Sequence, residues 1–185
     1  ILSPNDLCLV HHLKELIDAG VDSFKVEGRT KSLYYVSAVA KTYRQAIDDL
    51  YQNPNADMEK YLYELKKVGN RGYTTGFALG DGSGGYSYNL SKGLAGADFL
   101  FEFHGKEKIN GNELYLVKIN NKILPNDEIE IISPTEQFVT KILGIYDENG
   151  FELDVGNTNA EVYIKFEKEP QNYKYAMART VGIKE

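Results

Sequence analysis

Apolar residues return every three or four positions in the first third of the chain and alternate with polar ones in the last half. That switch predicts helices first and strands later. Leu9, Leu13, Leu16 and Ile17 share one helical face, with Ser3-Pro4 and Asp6 as a start signal and Gly20 as the closing glycine. Over 22–27 the period drops to two. Phe24 and Val26 lie to one side and Lys25 and Glu27 to the other, as in a short strand. From Lys31 to Tyr51 a long helix is predicted, with Val36, Val39, Ala40, Tyr43, Ile47 and Leu50 inward and Lys41, Arg44 and Asp48 outward. Asn53-Pro54-Asn55 ends it. Asp57 can then cap a helix over 58–68 whose face is Tyr61, Leu62, Leu65 and Val68.

Nine glycines fall within 69–96 and erase any helical period, so this stretch reads as an irregular connector. Beyond Ala97 the strand candidates are 98–104, 113–120, 128–133, 137–146, 151–155, 160–166 and 174–181. Asn110-Gly111, Asn149-Gly150 and Pro125-Asn126-Asp127 supply turns between them. Many short strands in so few residues predict a small closed barrel. A strand with a helix on either side suits a parallel α/β barrel, in which polar groups at the strand's end reach the rim. The expected fold is therefore an α+β fragment: the terminal strand–helix portion of a (β/α) barrel over 1–68, a connector over 69–96, and a small all-β barrel over 97–185. With one such strand–helix unit present and no initial methionine, the chain is expected to be the tail of a longer protein, and inactive alone.

Charge changes this picture in one respect. Residues 1–96 carry 11 Lys/Arg and 11 Asp/Glu, whereas 97–185 carry 10 and 16, so the whole net charge of −6 lies in the second half. A phosphate-gripping surface needs clustered cations, so the barrel as a whole is a poor nucleic-acid face, although a local patch could exist. The single cysteine excludes an internal disulfide framework and suits a reducing cytoplasm. No run of 18 apolar residues exists, and no membrane partner is expected.

Among the motifs, Gly80-Asp81-Gly82-Ser83-Gly84-Gly85 spells G-x-G-x-x-G without the strand before it or helix after it that a dinucleotide loop requires, so a flexible loop is the better account. Asn89-Leu90-Ser91 spells a glycosylation acceptor by chance. His11 and His12 are adjacent, and adjacent helical residues point about 100° apart, so they do not converge on a metal. Lys25, Glu27 and Arg29 are the candidate catalytic residues, at the end of the expected strand. The alternative is that Lys25 and Glu27 merely pair with each other or with neighbouring helices.

The runs Asp6-Leu7-Cys8-Leu9, Glu15-Leu16-Ile17-Asp18-Ala19-Gly20-Val21-Asp22-Ser23-Phe24-Lys25-Val26-Glu27-Gly28-Arg29 and Lys31-Ser32-x-Tyr34-Tyr35-Val36 resemble the C-terminal part of the peptidase U32 family. Arg71-Gly72-Tyr73-Thr74-Thr75-Gly76-Phe77 resembles that family's connector motif, and the acidic strand-rich tail its small C-terminal barrel. Asn70 stands where the pattern has histidine, and Lys14 where proline is common.

The resemblance implies a collagenase-like protein named as a peptidase, or a relative acting in hydroxylation of an RNA base, such as the wobble uridine of tRNA or an rRNA cytidine. It implies an iron–sulfur cluster in the intact protein with Cys8 as one of four thiolate ligands, and none in this fragment. The bland alternative for Cys8 is a small buried hydrophobe. Implied partners are RNA (tRNA or rRNA) or a protein substrate, in the cytoplasm, met through Lys25, Glu27 and Arg29 at a barrel mouth that would take an anionic co-substrate. Two further readings stay open: a collagenase-type peptidase, and a non-catalytic binding module. Barrel faces left uncovered in 1–68 would promote self-association, as a homo-oligomer, or partial disorder.

Overall fold

The computed structural model describes residues 3–80, 86–87 and 96–183. Residues up to Gly96 form one unit and Ala97–Gly182 another.

In the first unit the chain opens extended rather than helical. Strand β1 (Ser3–Pro4) and β2 (Asp6–Leu7) come before a 3-10 turn over Val10–His12, and only then does α1 (Leu13–Asp18) begin. The Ser3-Pro4 helix start is thus corrected, and the hydrogen bonds give the reason. The amides of Asp6 and Cys8 donate to the carbonyls of Gly72 (2.8 Å) and Thr74 (2.9 Å), so neither serves a helix. The other end of α1 follows the expectation. Gly20 sits at φ +86°, its amide donates to Ile17 and that of Val21 to Leu16, the paired bonds of a glycine-terminated helix.

Helix α2 (Leu33–Gln52) is capped by Ser32, whose Oγ accepts the Tyr35 amide at 3.2 Å. Its buried rail is Tyr34, Ala38, Thr42, Ala46 and Leu50, with Val39 beside it. This is rotated from the predicted face, because Val36 and Ala40 are exposed. Thr42 tolerates burial because its hydroxyl donates to the Ala38 carbonyl at 2.7 Å. Helix α2 packs against α3 (Glu59–Lys66), and Ala38 and Ala46 keep its buried rail flat. Met58 rather than Asp57 takes the cap position of α3, and Asp57, one residue earlier, accepts the Glu59 amide at 2.9 Å.

The expected strand over 22–27 does not form: residues 21–28 join no ladder among the described residues. A lone strand leaves its backbone groups to water, and here no neighbouring strand takes them up. The described part of the connector contributes two short strands. Strand β3 (Tyr73–Thr74) lies parallel to β2, and β4 (Tyr86–Ser87) antiparallel to β1. All of the glycine-rich motif except Gly80, and the whole of Asn89-Leu90-Ser91, lie outside the described residues.

The second unit is a closed antiparallel barrel. Its strands are β5 (Phe99–Ile109), β6 (Asn112–Ile119), β7 (Glu128–Ile132), β8 (Gln137–Tyr146), β9 (Glu161–Phe166) and β10 (Met177–Thr180). The order around it is β10-β5-β6-β9-β8-β7, closed by β7 against β10. Asn110 and Gly111 both take positive φ (50° and 85°), the tight two-residue hairpin their sequence predicts. The strand expected over 151–155 is a loop instead. The Asp147 side chain accepts the amides of Asn149 and Phe151, and Glu152 makes a single bridge to Tyr146.

Inside the barrel, Phe101, Phe103, Tyr115 and Phe166 form a chain of edge-on, tilted and stacked ring pairs with centroids 5.5–6.2 Å apart, in a core shared with Ile129, Ile131, Ile142 and Ile164. Tyr115, only 2% exposed, donates its hydroxyl to Glu169 at 2.8 Å, under the Lys106 ammonium. Burial first, and then that bond, push the phenol up to about 12. A raised folded-state value means this contribution to stability is complete below the ordinary value of 10 and is lost as pH rises through about 12. The midpoint of chemical denaturation is therefore expected to fall across that window, and to fall less steeply in Tyr115→Phe. An unchanged slope in that variant would refute the assignment.

Candidate functional site

One cleft of about 700 Å³ in the first unit collects most of the polar residues singled out in the sequence. Its floor is the β2–β3 pairing. The two motifs that lie 65 residues apart become one element, with Asp6 opposite Tyr73 and Leu7 opposite Thr74. Asp6 makes the junction rigid. Its Oδ1 accepts Arg71 Nε (3.2 Å) and Nη2 (2.7 Å), and its Oδ2 accepts the Arg71 amide (3.0 Å). Gly72 follows at φ +84°, a left-handed turn in which a side chain would be strained.

Cys8 emerges from β2 into this cleft. It is the free thiol of the chain and is buried, with Sγ 3.6 Å from the Tyr43 hydroxyl on α2. Tyr35 and Tyr73 line the same space. Burial raises all three phenols above their ordinary value; the nearby Cys8 adds to each, and Asp6 also raises Tyr35 and Tyr73. These hydroxyls therefore stay protonated at neutral pH. Tyr73 donates to the Leu65 carbonyl at 2.7 Å, which ties β3 to α3.

Lys25, Glu27 and Arg29 also line the cleft, all exposed. Glu27 Oε1 accepts the Arg29 amide at 3.0 Å, and its Oε2 lies 4.0 Å from Lys25 Nζ. With the two side chains 88% and 69% exposed, that ion pair is a weak, solvated contact. Gly28 lies close to α2, since a Cβ there would fall 2.9 Å from Val36 Cγ2. The four expected residues thus share one cleft, with Cys8 at depth and the three charged ones at the rim. Asp6, Arg71 and the tyrosines were missed as site residues. The signal was present in that Asp6 and Arg71 sit within the two motifs, but their pairing is not local in sequence.

His11 bonds Glu59 at 3.3 Å and His12 bonds Glu15 at 3.5 Å. They do not converge, and among the described residues no group of three or more potential metal ligands does. An iron–sulfur cluster takes four cysteine thiolates, and this chain offers one, already hydrogen-bonded to a tyrosine. The residues present do not by themselves fit a cluster. Among the described residues no helix is long and apolar enough to cross a membrane.

Residues 1–86 match the family model described as peptidase family U32, and residues 97–179 the one described as its C-terminal domain. The chain is 32% identical over 96% of its length to tRNA hydroxylation protein P1 of Bacillus subtilis. It is 33% identical over 91% to an uncharacterised protease of Methanocaldococcus jannaschii, and 36% identical over 50% to a collagenase of Porphyromonas gingivalis. It spans 42%, 40% and 26% of those proteins respectively, less than half of each.

Proposed function

This chain belongs to peptidase family U32, and from that premise we propose that it serves in the hydroxylation of an RNA base, with tRNA as the polynucleotide. The observation that carries this is the similarity to a tRNA hydroxylation protein across 96% of the chain, through cleft and barrel alike. In this reading the first unit belongs to the wall of a (β/α) barrel. Lys25 and Arg29 draw an anionic group of the substrate or co-substrate to the cleft, and Glu27 orients Arg29 by holding its amide. Cys8 serves as one ligand of a cluster whose remaining thiolates come from outside these residues. The cluster would supply redox chemistry, and the residues present here bind and orient. The β-barrel is an accessory module that positions RNA or a protein partner, and the site of action is the cytoplasm.

The chemistry of the cleft favours this over proteolysis. Its thiol is hydrogen-bonded to Tyr43 rather than to a histidine base, and its rim is cationic. Mass spectrometry of tRNA and rRNA nucleosides from a strain lacking the gene tests the reading. A hydroxylated nucleoside is expected to disappear, to return with the wild-type gene, and to stay at least about tenfold depleted with Lys25→Gln/Arg29→Gln, the scale of a lost charged contact. Normal nucleosides in the deletion strain, together with gelatin cleavage by the purified protein, would instead establish the peptidase.

A further inference from the structure

Charge is segregated within the first unit. Its sequence balances to zero, yet the cleft is lined by Lys25, Arg29, Lys31 and Arg71 against Asp6 and Glu27. The opposite sign gathers in a groove between α2 and α3, where five carboxylates face Lys60. The cleft is therefore the part of this unit suited to a negative ligand.

Two residues inside it are placed to recognise one. Arg71 donates through Nε and Nη2 to Asp6, which holds the guanidinium plane while the side chain stays 40% exposed. A guanidinium carries five N–H groups, so the Nη1 edge is still available to a ligand. Asp6 itself is only 12% exposed and acts from behind. The fork is ordered before any ligand arrives, which lowers the entropic cost of binding.

Tyr35 is the second residue. It lines the same cleft as Asp6, Cys8 and Arg71. Tyr43 and Tyr73 have their hydroxyls engaged by Cys8 and by Leu65. That of Tyr35 takes no hydrogen bond among the described residues, while Lys31 sits over its ring at 4.8 Å and steadies it.

We propose that Arg71 and Tyr35 together form the recognition site of this cleft for an oxyanion group, a carboxylate or a phosphate, held by Arg71 Nη1 and the Tyr35 hydroxyl. Asp6 is the positioning residue, and the exposed Lys25 and Arg29 steer the anion inward. The proposal rests on the hydroxylation reading only for what the oxyanion is attached to: a phosphate belongs to the polynucleotide, a carboxylate to a small co-substrate.

The test is titration of the 185-residue chain with inorganic phosphate and, separately, with malonate, followed by NMR at the Arg71 Nε–H and the Tyr35 ring. A saturable shift with one anion is expected, and which anion saturates identifies the source. Tyr35→Phe is expected to weaken binding about tenfold, as loss of one hydrogen bond to a charged group does. Arg71→Lys, which loses the planar fork, should weaken it at least as much. Lys25→Gln/Arg29→Gln should also weaken it, by a factor that shrinks as salt is raised from roughly 0.01 M to roughly 0.15 M, as for exposed charges that are screened. Because the Tyr35 hydroxyl makes no hydrogen bond among the described residues, the Phe variant should keep the wild-type Cys8 amide resonance.

Absence of saturable shifts with both anions, or equal affinity in Tyr35→Phe, would overturn the proposal. The two readings fail separately. Anion binding lost in Tyr35→Phe with normal nucleosides in a Tyr35→Phe strain would sink hydroxylation and leave the site standing. Nucleosides lost in the Lys25/Arg29 variant without any anion binding would do the reverse.

Discussion

Replacing Arg179 by alanine is expected to destabilise the barrel by about 3–5 kcal/mol, the cost of breaking a buried ion pair from one side. Arg179 is 1% exposed, and its Nε donates to Glu130 Oε2 at 2.7 Å. Glu130 stands one strand away on β7, directly opposite Arg179 in the β10–β7 register, and also accepts Gln137 Nε2 at 2.9 Å. Losing the guanidinium removes the cation that balances a carboxylate only 10% exposed. Replacing both partners, as in Arg179→Met/Glu130→Leu, should recover most of the loss, since apolar substitutes carry no desolvation penalty. Urea denaturation of the single and double variants measures this. If the single variant loses under about 1 kcal/mol, water reaches Glu130 and the pair is not what closes the barrel at this seam.

Phe101→Ala should cost a similar amount, about 3–5 kcal/mol, for a different reason. Phe101 is fully buried in the four-ring cluster, in contact range of Phe103 and Phe166. Truncation removes the transfer energy of the ring and leaves a cavity. The barrel cannot collapse around that cavity, because each surrounding strand is hydrogen-bonded on both sides. Phe101→Leu should lose less than half as much, which a denaturation series would show. Equal losses in the two variants would mean the rings contribute no packing beyond hydrophobic volume.

Alternation made the barrel legible. All six strands lie where period-two runs lie, because each strand has to bury one face and the turn residues between them set the register. The run at 151–155 misled because Asp147 draws the chain into a side-chain-bonded loop. Helix α2 was legible in length and in its stop at Asn53 but not in rotation. Its rail runs through Ala38, Thr42 and Ala46, small or polar residues that a hydrophobicity pattern undervalues. The residues 22–27 spell a strand correctly as a preference, yet a strand exists only through its neighbours.

The candidate site divides in the same way. Lys25, Glu27, Arg29 and Cys8 could be picked out one by one, from a period and from a family resemblance. That Asp6 meets Arg71, that Cys8 meets Tyr43, and that all of them border one cleft could not be read from either segment. Local preference is set by a residue and its near neighbours, so the order of helices and strands, the hairpin turns and the charge balance follow from the sequence alone. Contacts across tens of residues depend on the closure of long loops and on which backbone groups remain unpaired, and only the folded chain settles those.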